Sequence, residues 1–233
     1  MRKKIFILGA SSDIGIATVK KFLKEKWIVL AHYNKNKNAL LKIKDPNLKL
    51  INFDLRDVDN LNKFIKTKKF DNIDSFISLT GLIEPLSFFQ INHKSFLNQI
   101  NVNYFSNLII LQRILPGMIK KKFGRVLLSS SVGVKFGGGA NSLIYSLTKF
   151  MNEFFFSTYK NFYSSNILIN AIRIGVTNTK IHKNKGNSLK KRINLIPIKR
   201  MAKISEVVNY LYFYASEQNT LSTKSIIEIT GGE

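Results

Sequence analysis

Lys4-Ile5-Phe6-Ile7-Leu8-Gly9-Ala10-Ser11-Ser12-Asp13-Ile14-Gly15 is the stretch on which the fold turns. A short apolar run gives way to a turn of small residues, and from Ile14 an amphipathic segment continues to Lys24. A buried strand, a tight turn and a helix account for all three parts. Small residues let a backbone approach a pyrophosphate, and a helix N-terminus offers unpaired N–H groups with a partial positive charge. Gly9, Ser11, Ser12, Asp13, Ile14 and Gly15 are therefore candidates for holding phosphate, with the serines as hydroxyl donors. A strand-to-helix turn capped by Ser or Asp, with no ligand, explains the same residues about as well.

Outward from this unit the pattern repeats. Further strands are expected at Ile28–His32, Leu50–Phe53, Ser75–Leu79, Arg125–Ser129, Ile167–Ile174 and Ser225–Ile229. Between them lie helices at Asp57–Lys68, Phe96–Lys120, Leu143 to about Tyr163, and Glu206–Tyr214. The helix from Leu143 carries Phe150, Phe154, Phe155, Phe156, Tyr159 and Phe162 without an interrupting Pro or Gly. Such alternation predicts an α/β fold, a doubly wound Rossmann-like parallel sheet of about seven strands with helices on both faces. No linker, repeat or low-complexity break divides the chain, so residues 1–233 read as one domain. Ligands of such sheets bind beyond the carboxyl ends of the strands.

Composition narrows the chemistry. The chain has 233 residues, 45% of them hydrophobic and 22% charged, and no cysteine. Disulfides, thiolate metal sites and Cys nucleophiles are excluded together. His32, His93 and His182 lie far apart without ligand spacing, so no metal site is expected. The net charge of +23 invites a nucleic-acid reading, but the lysines are spread over almost every segment, and Lys120-Lys121-Lys122 reads as a solvated helix end. No nucleic-acid partner is expected. Met1-Arg2-Lys3-Lys4 imitates a secretory leader, yet the apolar run behind it is too short. No run reaches the roughly 20 residues that span a bilayer. No membrane association and a cytoplasmic location are the expectations.

Two further stretches bear on function. A dinucleotide site specific for NAD carries an acid at the end of the second strand, to bind the ribose 2′-hydroxyl. Here that place is His32-Tyr33-Asn34-Lys35-Asn36-Lys37, where Asn34, Lys35 and Lys37 suit a 2′-phosphate instead. NADP(H) is favoured over NAD(H). In Ile144-Tyr145-Ser146-Leu147-Thr148-Lys149 a phenol and an ammonium stand four positions apart, on one helix face. A phenol titrates near ~10, and a nearby cation favours its ionised form. Taken alone, a surface Tyr and a solvated Lys would show the same spacing.

In this order and on these elements, the residues resemble the classical branch of the short-chain dehydrogenases/reductases, and within it the 3-oxoacyl-acyl-carrier-protein reductases. Gly9-x-x-x-Asp13-x-Gly15 resembles the family's phosphate turn, and Asp54-Leu55 its adenine-contacting pair. Asn103, thirteen residues before Pro116, falls at the family's helix Asn. Ser131 stands at the catalytic Ser, Tyr145-x-x-x-Lys149 is the signature pair, and Gly175-Val176-Thr177-Asn178-Thr179 resembles the segment beside the nicotinamide. The departures are Asp13 for the central glycine, Ser78-Leu79-Thr80-Gly81 for Asn-Asn-Ala-Gly, Ile174 for Pro, and Thr230 for Asp.

The resemblance implies hydride transfer between nicotinamide and a carbonyl or alcohol carbon. Tyr145 would supply the proton, Ser131 would bond the substrate oxygen, Lys149 would hold the nicotinamide ribose and lower the Tyr145 pKa, and Asn103 would support a water chain. Gly81, Gly175, Thr177 and Thr179 would line the cofactor. The substrate would be a small carbonyl compound, with a 3-oxoacyl thioester on an acyl carrier protein one candidate. The segment from Ile181 to Met201, a lid candidate, carries Lys183, Lys185, Lys190, Lys191, Arg192, Lys199 and Arg200, and Lys122 stands at a docking position. Their basic character suits an anionic partner, although general lysine enrichment explains it equally. Leu82, Ile83, Phe89 and Phe136 would line a pocket or sit in the core. A homo-oligomer, tetramer or dimer, is implied, covering the Phe-rich helix and the edge strand Ile226–Ile229. Asp13 and Ser78-Leu79-Thr80 motivate one competing reading, a catalytically silent dinucleotide-binding sensor or scaffold.

Overall fold

Apolar residues that alternate along one strand fill two separate cores, one on each face of a sheet. Phe6 and Leu8 face one side with Phe76, Val126 and Leu128, while Ile5 and Ile7 face the other with Val29, Ile77, Leu127 and Ile172. A strand covered on both faces reads as a continuous apolar run, as Ile5–Leu8 does. In the computed structural model, which describes residues 2–155, 159–182 and 186–233, these residues belong to a sheet of 7 strands. They are β1 Lys4–Leu8, β2 Ile28–Tyr33, β3 Leu48–Asn52, β4 Ser75–Ser78, β5 Gly124–Ser131, β6 Ile167–Ile174 and β7 Ile226–Ile229. All pairings are parallel, in the order β3-β2-β1-β4-β5-β6-β7, which is the doubly wound arrangement expected. Phe156, Lys183 and Lys185 lie outside the described residues.

Helices α1 Asp13–Lys24, α2 Asn38–Leu41, α3 Val58–Phe64, α4 His93–Ile100, α5 Ser106–Lys121, α6 Leu143–Met151, α7 Tyr159–Tyr163, α8 Gly186–Leu195 and α9 Ile204–Ala215 cover the sheet. Val19 and Phe22 of α1 and Val207 and Leu211 of α9 fill the Ile5 side. Leu61 of α3 and Ile110, Ile114 and Met118 of α5 fill the other. No helix among the described residues is long and apolar enough to cross a membrane.

Three expectations are corrected. The helix expected over Phe96–Lys120 is α4 and α5 joined by a π-helical turn, Asn101–Phe105, and that widened turn carries Asn103. Such turns occur often at functional sites. The helix expected from Leu143 to Tyr163 stops at Met151, where the buried side chains of Asn152 and Glu153 take partners outside the helix: Asn152 donates to the Asn103 and Ser129 carbonyls, and the Glu153 carboxylate pairs with Arg173. The segment from Ile181 to Met201 is not a structureless loop but contains α8. Boundaries also move: β3 starts at Leu48 rather than Leu50, and β5 runs on to Ser131 rather than Ser129.

The buried Glu153 carboxylate explains part of this path. It receives Nε and Nη2 of Arg173 at 2.7 and 2.6 Å, and the Ser130 hydroxyl at 2.5 Å. Arg173 reaches on to Glu228 of β7 at 2.7 Å, and these carboxylates hold its pKa above the usual arginine value. Removing one member of a buried pair strands the other charge, at a cost of about 3 kcal/mol or more. Arg173→Met is expected to lower urea-unfolding stability by about that amount, and Arg173→Met with Glu153→Leu to recover most of it. A single variant that unfolds at the wild-type midpoint would show that the pair does not anchor β6 to the end of α6.

Candidate active site

Tyr145 and Lys149 stand one turn apart on α6, beyond the exits of β4 and β5. The Lys149 ammonium is buried, and donates to Thr80 O at 2.5 Å, Ser129 O at 3.0 Å and Ser129 Oγ at 2.9 Å. Burial pushes its pKa down to about 7. The surrounding oxygens act in the opposite sense, since each welcomes an N–H of the charged form. Nζ lies 5.8 Å from the centre of the Tyr145 ring. Burial raises the Tyr145 phenol above its ordinary value, while a hydrogen bond with Ser131 pulls it back. The expected depression by Lys149 is therefore not what this geometry gives. The ammonium is engaged by carbonyl and hydroxyl oxygens, and desolvation is the larger influence on the phenol.

Ser131 is the last residue of β5, where its Oγ accepts from Gly133 N at 3.2 Å and caps the turn Val132–Phe136. Gly81 closes the space beside the pair. A methyl group built on it would lie 3.7 Å from the Tyr145 ring, 3.8 Å from the phenol oxygen and 3.9 Å from Lys149 Cε. Asn103, fully buried, ties the next residue to α6: its Oδ1 accepts from Leu82 N at 2.7 Å, and its Nδ2 donates to Leu82 O at 2.9 Å and Thr148 Oγ1 at 3.0 Å. The main-chain carbonyl of Asn103 accepts from the Asn107 and Asn152 side chains at 3.1 and 3.0 Å.

The phosphate turn joins this centre through Gly9. Its φ is +75°, and a side chain there would meet the Leu79 and Thr80 backbone at 3.1 to 3.2 Å. Gly15 brings α1 so close that a Cβ would sit 2.7 Å from Ala10 backbone atoms. Ser12 is the N-cap of α1, accepting from Gly15 N and donating to Gly9 O, each at 3.0 Å. Its hydroxyl thus closes the turn, which is the capping role that the sequence offered beside that of a phosphate donor. The Asp13 carboxylate accepts from the Lys180 amide at 2.7 Å, so the substituted residue links the turn to the segment after β6. Ser11 and Ile14 are half-buried between these contacts.

Other expected cofactor residues flank the turn. Asn34 and Lys35 are exposed after β2. Asp54 is held by Arg56, which keeps its carboxyl below the usual range with help from Asn34, and Leu55 is buried. Gly175 donates to Ile229 O at 2.9 Å and leaves no room for a Cβ against Thr230. Thr177 donates to Gly175 O at 3.0 Å and Thr179 to Thr177 O at 3.3 Å. Ile83, Phe89 and Phe136 are exposed, which removes the core alternative for them, and Leu82 is half-buried. Lys122 lies at the opposite end of β5 from Ser131. In the basic segment, Arg192 pairs with Glu233 and Arg200 with Glu206. No group of three or more potential metal ligands occurs among the described residues.

Sequence reasoning missed Thr80, Ser129 and Asn152, whose oxygens and amides surround Lys149 and Asn103. Three consecutive serines on a strand and an Asn-Glu pair inside a Phe-rich segment were the available signals. The donor set fits a nicotinamide dinucleotide: the N-terminus of α1 behind a glycine turn, a glycine floor at Gly81, and an ammonium beside a phenol.

Known proteins share the sequence pattern and the fold. The uncharacterized oxidoreductase YmfI of Bacillus subtilis (strain 168) is 25% identical over 241 residues, covering 100% of this chain and 99% of that protein. The 3-oxoacyl-[acyl-carrier-protein] reductase FabG of Buchnera aphidicola subsp. Schizaphis graminum is 27% identical over 237 residues, covering 99% and 88%. Among solved structures, ElxO with NADP bound superposes with a TM-score of 0.87 at 23% identity, covering 100% of this chain and 98% of that one. A 3-oxoacyl (acyl-carrier-protein) reductase from Agrobacterium tumefaciens C58 with NADP bound gives 0.88 at 19% identity, covering 99% and 94%. The family model described as short chain dehydrogenase matches residues 3–190, and the chain belongs to that family as a nicotinamide-dependent oxidoreductase.

Proposed function

We propose that this chain, acting as one domain, is an NADP(H)-dependent carbonyl reductase in which Ser131, Tyr145 and Lys149 handle the substrate oxygen and its proton. The observation that carries the proposal is the cluster around Gly81, where a phenol bonded to Ser131 and a buried ammonium border one open floor. The bound nicotinamide supplies the hydride chemistry. Residues 9–15 would hold its pyrophosphate, Gly175, Thr177 and Thr179 would lie beside its ring, and Lys149 would take its ribose hydroxyls. Tyr145 donates the proton to the carbonyl oxygen, and Ser131 donates a hydrogen bond to the same atom as charge develops on it. Asn103 keeps Leu82 and Thr148 at fixed separation, and so the Gly81 floor against α6.

Preference for NADP(H) is supported by Asn34 and Lys35 standing exposed where an acid would select NAD, and by the NADP bound in two structural neighbours. A 3-oxoacyl thioester carried by an acyl carrier protein is the substrate class that the FabG relatives suggest, and the exposed Ile83, Phe89 and Phe136 suit an acyl chain. A cytoplasmic location is part of the same proposal, and the absence of a membrane-spanning helix among the described residues is compatible with it. Catalytic silence, which Asp13 and Ser78-Leu79-Thr80 motivate, is disfavoured because Ser131, Tyr145 and Lys149 are all present, and a silent protein has no need to keep them together. Leu143, Leu147 and Phe150 of α6, with Phe154 beyond it and Ile226 on β7, are exposed apolar side chains. They support a homo-oligomer, a dimer or a two-fold symmetric tetramer.

Oxidation of NADPH and of NADH, screened with 3-oxoacyl thioesters, diketones, quinones and keto-sugars, is expected to show turnover with NADPH preferred. Tyr145→Phe should reduce that turnover by about 10²-fold or more while leaving NADPH binding intact. A variant as active as the wild type would exclude Tyr145 as proton donor. A second expectation concerns Lys149. Its folded pKa of about 7 lies below the unfolded 10.5, so between these values the unfolded chain holds a proton that the folded chain does not. Stability therefore rises with pH across that window. Relative to Lys149→Met, the wild type should gain stability as pH rises from 7 toward 10, and a difference flat with pH would show that burial does not discharge the ammonium. Light scattering at micromolar concentration should return a multiple of the 26.7 kDa chain mass. A monomer would remove the oligomer from the proposal.

A further inference from the structure

We propose that His32 is a positioning residue that sets the distance between the two halves of the cofactor site, a role that rests on the dinucleotide reading above. β2 lies between β1 and β3, so a side chain at its exit can reach both neighbours. The His32 ring does so. Nδ1 accepts from the Gly9 amide at 3.2 Å, and Nε2 lies 3.0 Å from the Phe53 carbonyl. A carbonyl oxygen only accepts, so the Nε2 nitrogen carries the proton and Nδ1 is bare, which assigns the neutral tautomer. The His32 carbonyl accepts the next amide of the turn, Ala10 N, at 2.9 Å. Two successive amides of the phosphate turn therefore end on one residue, while its ring holds the residue just before Asp54-Leu55.

The clamp has little freedom to slip. His32 is 2% exposed and its ring lies 4.3 Å from that of Phe53. Gly9 cannot swing away, because its other side rests on the Leu79 and Thr80 backbone, and the Thr80 carbonyl is the one that receives Lys149. Burial holds the imidazole pKa near 4, with the Phe53 carbonyl and Asp54 opposing, so the neutral ring persists at ordinary pH. An apolar residue of similar size would fill the space but leave the Gly9 amide and the Phe53 carbonyl without their partner. Unmet buried polar groups pull toward water, and the turn would loosen.

Full-length His32→Leu and His32→Gln test this, since Leu keeps the volume and Gln restores one acceptor and one donor. Amide hydrogen exchange in cofactor-free protein should show lost protection over residues 9–15 in H32L and retained protection in H32Q. NADPH affinity, followed by fluorescence titration, should fall about tenfold in H32L and return most of the way in H32Q, with kcat at saturating NADPH unchanged in both. A merely structural histidine would lower the melting temperature of both variants and leave NADPH affinity alone. That result, or H32Q as weak as H32L, would overturn the proposal. If H32L does not fold, His32→Asn, too short to span both partners, takes its place in the same comparison. A wild type that binds neither NADPH nor NADH would overturn the cofactor reading and the positioning role with it, while exchange at the turn still decides whether the clamp exists.

Discussion

The buried Lys149 ammonium, with the Thr80 carbonyl and both oxygens of Ser129 around it, ties α6 to the exits of β4 and β5. A cation so placed is tolerated only where oxygens replace its water, and each of those oxygens is itself held. Thr80 is fixed because Gly9 rests on its backbone, and Ser129 because it sits inside β5, paired with Ile172 of β6. The phosphate turn, the Gly81 floor and the Tyr145 phenol consequently share one reference point. Displacing Lys149 would disturb all of them together.

A second polar layer supports the first. Asn152, where α6 ends, donates to both the Asn103 and Ser129 carbonyls, so the π-helical turn and β5 meet on one amide. Glu153, the next residue, carries the connection through Arg173 to β7. A low local dielectric strengthens such bonds when they are complete and penalises any that are missing. In the proposed mechanism, rigidity at the reacting oxygen would be the functional return, because a donor fixed in advance needs no reorganisation as charge develops.

The layered sheet was legible because parallel strands buried on both faces announce themselves as short apolar runs, and Ile5–Leu8, Phe76–Ile77 and Val126–Leu128 are such runs. Tyr145, Lys149 and Ser131 were legible by residue type and order. What escaped depends on backbone groups and on tertiary partners. The carbonyl of Thr80 has no sequence signature, and the end of α6 at Met151 follows from contacts of Asn152 and Glu153 with distant strands, not from helix propensity. The direction of the Tyr145 shift also escaped, since spacing brings a cation near but says nothing about what that cation already bonds. His32 looked like an isolated histidine until its ring was seen between Gly9 and Phe53.

Hydride transfer at the Gly81 floor is tested most directly by isotope. With NADPH deuterated at one or the other C4 position, and any carbonyl compound the protein reduces, mass spectrometry of the alcohol reports where the hydrogen came from. One deuterium on the carbinol carbon, delivered from only one of the two labelled cofactors, is the result expected of a ring held on one side of Tyr145. An alcohol free of deuterium with both labels would contradict it.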